Sequence, residues 1–337
     1  MAKDPNFTCI EESTYEESRW LVVAVYSVIF TVGLPANCLT TALTLIQIHK
    51  GNILAIYLFG LSLCELMYLS TLPLWILYVQ NGHIWTMGQT CCKVTGYIFF
   101  CNIYISILLL CCVSIDRYVA MVYPLRSRGL RNQRIAAGVT SVLFVIVAAV
   151  HTPVFFDPNF QKLNITTCFE NHLDWELATF NIIRFIVGFL VPFTILIFMN
   201  YNIFQNIKIS YSLSPHQKSK VKYLAIAIIS IFVVCFAPYH FVLLIRAIHF
   251  HQDSDNYCIF ERKTYTVYTI FLCFSTANSV ADPFIYVLAS ENTRHDIRRM
   301  FRAAGFRFLN DSKMDSNKPD STQKTPVDPS EGHKEAR

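Results

Sequence analysis

Residues 94–124 read VTGYIFFCNIYISILLLCCVSIDRYVAMVYP. Val94 to Ile115 carry no charge, and Asp116-Arg117 follow at once. The uncharged part is 22 residues long, and about 20 apolar residues suffice to cross a bilayer as a helix. Six further charge-poor runs lie at about Trp20–Ile48, Ile53–Gln80, Ile135–Phe156, Leu177–Ile207, Tyr223–Ile245 and Thr264–Ala289. Only 15% of the chain is charged, against about 25% in ordinary soluble domains. Backbone polar groups cannot be left open in lipid, so the spans must be helices. The expected fold class is an all-α membrane protein, a seven-transmembrane helix bundle over 20–289.

Orientation follows from Lys and Arg, which favour the cytoplasmic side. Arg126, Arg128, Arg131 and Arg134 follow the third run, and Lys208, Lys218, Lys220 and Lys222 follow the fifth. Arg294, Arg298, Arg299, Arg302 and Arg307 follow the seventh. With seven spans these three regions share one side, so the N-terminal segment 1–19 is expected outside and the C-terminus in the cytoplasm. The net charge of +5 is then a topology signal, and its scatter over separate loops speaks against a nucleic-acid partner. The sequons at Asn6 and Asn164 both fall outside, as glycosylation requires. Over 290–308, Ile297, Phe301 and Phe308 alternate with arginines, which predicts an amphipathic helix on the inner leaflet. The polar stretch 309–337 is expected to be a disordered tail.

Seven spans alone fit a receptor, a transporter or a channel; the residues punctuating them decide. The first run contains PANCL with Asn37, the second LSLCEL with Glu65, and the third starts at Cys92 and ends SIDRYVAMVYP. The fifth has Pro192, the sixth reads FVVCFAPYH, and the seventh reads NSVADPFIY. WTMG at Trp85–Gly88 fills the first outer loop. This set, in this order, resembles the rhodopsin-like (class A) G-protein-coupled receptors over about Trp20 to Phe308. CFAPYHFVLLIRA, TYTVYT and ADPFIY are similar to its proton-sensing and lysolipid-linked subfamily.

The resemblance implies a set of switches. Asp116, Arg117 and Tyr118 would form a latch whose Arg117 is released to meet a heterotrimeric G-protein. Pro238 kinks the sixth helix by removing a hydrogen bond, with Phe236 where many relatives have Trp. Pro283 does the same in the seventh, and Tyr286 is a mobile polar tip. Asn200 stands where relatives usually have Tyr. Arrestin and receptor kinases are the implied partners of the tail, at Ser321, Thr322 and Thr325. Cys92 and Cys168 match the family's bridge, with Cys91 an adjacent competitor. Cys9 and Cys258 would tie the N-terminus to the last outer loop.

Glu65 and Asp282 are the two carboxylates deep in the runs. The resemblance places them in one polar pocket with Asn37, Ser106, Asn278 and Ser279. Two close carboxylates cannot both ionise freely. Three roles stay open: a shared structural proton, a sodium site with the hydroxyls, or a pH-responsive switch. Sodium is the one cofactor in view. His249-Phe250-His251 lacks further ligands for a metal, and no nucleophile–base set suggests an enzyme. His83, His151, His172, His249 and His251 are outer-face candidates for titration. The subfamily's proton sensors carry a fourth-helix Glu where this chain has Val147.

Arg184 is the anomaly, a permanent charge within the fifth run. It lies eight residues before Pro192, about 12 Å along a regular helix, in the outer third of the span. Asn181 and Gly188 share its stripe, which should face the bundle interior. Snorkelling to the headgroups is the plain alternative. The sharper reading is an anion anchor, since a guanidinium grips carboxylate or phosphate with two parallel bonds. Tyr97, Phe100, Tyr104 and Tyr239 supply an aromatic wall, His240 lines it, and Arg246 adds charge near the mouth. The expected function is a plasma-membrane receptor for an anionic lipid, with modulation by protons; the resemblance implies a lipid of oxidised fatty acid, N-acyl amino acid or lysophospholipid class. The alternatives are a receptor gated mainly by acid and, from another class, a transporter or channel.

Overall fold

The computed structural model describes residues 12–123, 131–155, 167–168, 173–209, 214–253 and 257–289. Every described element is helical. The seven long helices are α1 (Glu12–His49), α2 (Leu54–Gln80), α3 (Gln89–Val122), α4 (Gln133–His151), α5 (Trp175–Ile209), α6 (Pro215–Gln252) and α7 (Tyr257–Ala289). Each is long and apolar enough to cross a membrane, as the runs predict.

α3 is the axis of the bundle and packs on α2, α4, α5 and α6. α5 packs on α6, α6 on α7, and α7 returns to α1 and α2 to close the ring. α4 is peripheral: it rests on α2 and α3 through Ala136 and Val147, and turns Val145, Ile146 and Val150 outward. In a membrane that outward apolar face meets lipid.

Helix ends depart from the apolar runs for local reasons. α6 begins at Pro215, well before Tyr223, because Ser214 and Gln217 form a reciprocal capping box and Pro215 sits at the first turn, where its missing N–H costs nothing. α7 begins at Tyr257 rather than Thr264. Runs report contact with lipid, whereas helical hydrogen bonding continues beyond it. α4 ends at His151 and gives way to a 3-10 turn, Thr152–Phe155, holding Pro153.

Three irregularities aim side chains into the bundle. α5 contains a π turn at Ile186–Leu190, and α6 has another at Phe232–Phe236, one residue short of Pro238. α7 is interrupted at Thr276 and Ala277, between its segments Tyr257–Ser275 and Asn278–Ala289. A π turn takes one extra residue and so re-aims the faces on either side of it.

Candidate functional site

Arg184 lies in the last turn of the first segment of α5, Trp175–Phe185, and turns inward. Its Nε donates to the Tyr104 hydroxyl on α3 at 3.0 Å, and its Nη2 to the Tyr239 hydroxyl on α6 at 3.3 Å. Nη1 donates to Asn181 Oδ1 at 3.3 Å. The guanidinium carbon lies 4.7 Å from the Phe100 ring centre, 5.2 Å from that of Tyr104 and 5.6 Å from that of Phe180, within the range of cation–π attraction. The side chain therefore reaches α3 and α6 rather than the headgroups. No carboxylate pairs with it among the described residues. Gly188 makes the approach feasible, for a Cβ there would lie 2.5 Å from Tyr104 Cε1.

Two histidines flank this arrangement. His240, fully buried on α6, stacks on Phe189 at 4.7 Å and meets Tyr104 edge-on at 5.8 Å. His151, the last residue of α4, stacks on Tyr104 at 5.3 Å and on Phe100 at 6.4 Å. Sequence reasoning counted His151 among exposed outer histidines; the early end of α4 brings it onto the aromatic wall instead. Tyr97 turns the other way: its hydroxyl donates to the Ala148 carbonyl on α4 at 3.0 Å and its ring packs on Phe155.

Arg246 requires a correction. It was expected as free charge at the mouth, but its Nε donates to Glu261 Oε2 at 3.0 Å and its Nη2 to Oε1. Tyr257 also donates to Glu261, and the Arg246 guanidinium lies 3.8 Å from the Tyr268 ring centre. Glu261 is a buried acid as well, missed because it precedes the apolar run of α7. The spacing Tyr257, Glu261, Tyr265, at i, i+4 and i+8, was the available signal of one buried helix face. His83 is likewise buried, packed between Tyr78 and Tyr265 rather than exposed in a loop.

The central acids come together as the resemblance implies. Glu65 Oε1 accepts from Ser106 at 2.7 Å and from Asn278 Nδ2 at 2.8 Å, while Ser279 donates to Oε2. Asn278 Nδ2 also lies 3.5 Å from Asp282 Oδ2, so one amide spans both carboxyls. Asn37 donates to the Ser279 carbonyl at 2.7 Å and ties α1 to α7 beside the pocket.

At the opposite end from the disulfide, Asp116 holds Arg117 at 2.6 Å. It also holds Arg131, whose Nε lies 2.8 Å from Oδ1 and Nη2 3.0 Å from Oδ2. Sequence reasoning counted Arg131 only as topology charge. Tyr118 packs edge-on against Tyr123. Asn200 donates to Ser114 at 3.2 Å. Phe236 and Tyr286 are buried, and Phe236 packs edge-on against Phe232 beside the turn that leads to Pro238. Pro283 lies inside α7. Ser114, Arg117, Asn200, Ile203, Leu224 and Ile228 line a cleft among α3, α5 and α6.

Cys92 and Cys168 are joined, with Cα atoms 5.7 Å apart, and the Cys168 N–H donates to the Tyr78 hydroxyl at 3.0 Å. Cys91 is free. Cys258 is disulfide-bonded; Cys9, its expected partner, lies outside the described residues, as do Asn6, Asn164, the 290–308 segment and the 309–337 tail.

A seven-helix membrane bundle with an Asp-Arg ion pair at one end and a disulfide-tied polar and aromatic site at the other is the arrangement expected of a receptor. The sequence profile described as 7 transmembrane receptor (rhodopsin family) matches residues 36–286. The chain is 53% identical over 291 residues to the mouse Probable G-protein coupled receptor 132, covering 85% of this chain and 75% of that one. It is 33% identical over 320 residues to the human G-protein coupled receptor 68, covering 93% and 84%. It is 34% identical over 295 residues to the mouse Lysophosphatidic acid receptor 4, covering 85% and 78%. The chain belongs to the rhodopsin family of seven-transmembrane, G-protein-coupled receptors. The resemblance read from its motifs holds, and the enzyme, transporter and channel alternatives fall away.

Proposed function

We propose that this receptor is activated by an anionic lipid whose head binds Arg184. One observation carries the reading: a partly buried guanidinium whose partners among the described residues are all neutral. Three of its five N–H groups serve two phenols and an amide, which leaves two for a carboxylate or phosphate. A cation held so deep is costly without a counter-charge, and a ligand anion supplies one. Phe100, Tyr104 and Tyr239 give the adjoining chain an apolar surface. A relative named as a lysophosphatidic acid receptor fits a lipid with an anionic head.

In this reading the disulfide end faces outside the cell and the Arg117 end the cytoplasm, in the plasma membrane. The ligand shifts population toward a state in which the inner half of α6 swings out at Pro238. Arg117 then leaves Asp116 and the cleft beside Asn200 and Ile203 widens for the G-protein. Kinases and arrestin act on Ser321, Thr322 and Thr325.

A second reading, gating by protons, rests on the Glu65–Asn278–Asp282 bridge. Protonation of either carboxyl changes what Asn278 and Ser279 can donate to, and so the join between α2 and α7. Sodium would take the same four residues, Glu65, Ser106, Asn278 and Asp282. Asp282 Oδ1, which accepts no hydrogen bond among the described residues, would be its first ligand, since both Glu65 oxygens are engaged.

The test is G-protein activation in cells between about pH 8 and pH 6, with and without long-chain N-acyl amino acids. Wild type and Arg184→Gln are compared at matched surface expression. The lipid should activate wild type, and the variant should lose on the order of 100-fold in potency, the worth of a charge-assisted pair. Equal activation of both by acid, with nothing added by lipid, would overturn the lipid reading and turn attention to Glu65→Gln and Asp282→Asn.

A further inference from the structure

Asp116 is shared by two guanidiniums, and they hold it differently. Both Arg117 contacts fall on one oxygen: Nε donates to Oδ2 at 3.2 Å and Nη2 to the same atom at 2.6 Å. Arg131 takes both oxygens, with Nε on Oδ1 at 2.8 Å and Nη2 on Oδ2 at 3.0 Å. That is the forked grip in which a guanidinium best matches a carboxylate. Among the described residues, Oδ1 accepts from Arg131 alone.

The two arginines also belong to different parts of the bundle. Arg117 borders the cleft among α3, α5 and α6, which widens in the switch proposed above. Arg131 stands just before α4, whose start is fastened twice. The Asn132 side chain caps it by accepting from the Ile135 N–H at 2.9 Å. Gln133 Nε2 donates to the Ile48 carbonyl on α1 at 2.7 Å. α4 rests on α2 and α3, so Arg131 is carried by helices other than the ones that part.

The Asp116 side chain is only 4% exposed. A carboxylate buried to that degree is strongly penalised when its one cation leaves. With Arg131 in place Asp116 is not abandoned: Arg117 gives up two contacts at Oδ2, and both oxygens stay paired. Two guanidiniums on one carboxylate also repel each other, which loosens the one with the poorer grip.

We infer that Arg131 is a positioning residue for G-protein activation: it keeps Asp116 paired after Arg117 departs, and so shifts the receptor toward its signalling state. The inference rests on the release of Arg117 proposed above and is independent of which ligand drives it. An ion pair at the inner end of the bundle then favours activity, the reverse of a contact that only braces the resting state.

The readout is the affinity of nucleotide-free heterotrimeric G-protein for the solubilised receptor without agonist, which scales with the fraction of receptor in the open state. The G-protein is of the class that gives wild type its largest nucleotide exchange. Wild type, Asp116→Asn, Arg131→Gln and the double variant are compared. Asp116→Asn should bind more tightly than wild type, since Arg117 has lost its counter-charge. Arg131→Gln should bind about 5-fold more weakly or worse, the lower end of usual couplings between sites. On the Asp116→Asn background the same change should cost less than about 2-fold, because no carboxylate is left to hold. Arg131→Lys, a cation without the fork, should fall between wild type and Arg131→Gln, and it carries the test if the glutamine variant fails to fold. Tighter binding by Arg131→Gln, or no change, overturns the inference: Arg131 would then brace the resting state or be idle. An equal loss on both backgrounds overturns it too, since Arg131 would then touch the G-protein itself. If Asp116→Asn fails to tighten binding, the release of Arg117 is the reading that falls, and this inference falls with it.

Discussion

Arg184 and Arg246 are both buried or partly buried arginines, on the adjoining helices α5 and α6, and both lie over aromatic rings. Their partners differ in kind. Arg246 has Glu261, gripped through two nitrogens and supported by Tyr257. Arg184 has two phenols, an amide and three rings. One charge is cancelled within the protein and one is left for something else to cancel. The first arrangement clasps α6 to α7; the second is the binding site of the function proposed above. Charge alone does not separate them, and the position of one glutamate does.

The sharpest way to break this contrast is at Glu261. Glu261→Gln leaves Arg246 buried without its counter-charge, which should cost about 3 kcal/mol or more of stability. Thermal melting of the solubilised receptor reads the loss. Arg246→Met combined with Glu261→Met should recover most of it, because an apolar pair of similar volume replaces a matched ion pair with little penalty. A Glu261→Gln receptor that melts like wild type would mean that the clasp carries no weight, and that Arg246 is available as a second anion site.

Gly188 tests the other member of the pair at a smaller scale. A methyl group there would meet the Tyr104 ring at 2.5 Å, and overpacking of this kind costs about 1–3 kcal/mol. Gly188→Ala should therefore push Tyr104 off Arg184 and weaken lipid potency by about 10-fold, at unchanged response to a ligand-independent assay of G-protein coupling. Unchanged lipid potency would show that Tyr104 does not hold the guanidinium in its working position.

These residues also show how far a sequence can be read. Seven helices followed from runs of uncharged residues, since lipid forces backbone groups to pair within a helix. That Arg184 faces inward was legible from Asn181 and Gly188, which share its stripe. The central acids were legible through the family's motifs. Glu261 was not, because a charge at the end of a span looks like the start of a loop until a partner is placed beside it. Arg131 hid in the same way among the loop arginines. The π turn at Ile186–Leu190 has no signature in hydropathy, because it changes which residues face inward without changing their type. His151 was misplaced because an apolar run extends past the helix end that Pro153 marks.

The smallest expected effect is the most telling for the comparison. If Arg184 is a binding residue held ready, its charge is a burden on the ligand-free protein, as functional sites commonly are. Removing that charge should then do the reverse of what Glu261→Gln does. Arg184→Gln, melted without ligand, should leave stability unchanged or raise it by up to about 1 kcal/mol. Glutamine can still donate to one phenol, and no ion pair is lost. Added lipid should raise the melting temperature of wild type, because it binds the folded state, and should fail to raise that of the variant. A large destabilisation of ligand-free Arg184→Gln would instead make Arg184 a structural link among α3, α5 and α6, and the difference between the two arginines would be one of partner only, not of purpose.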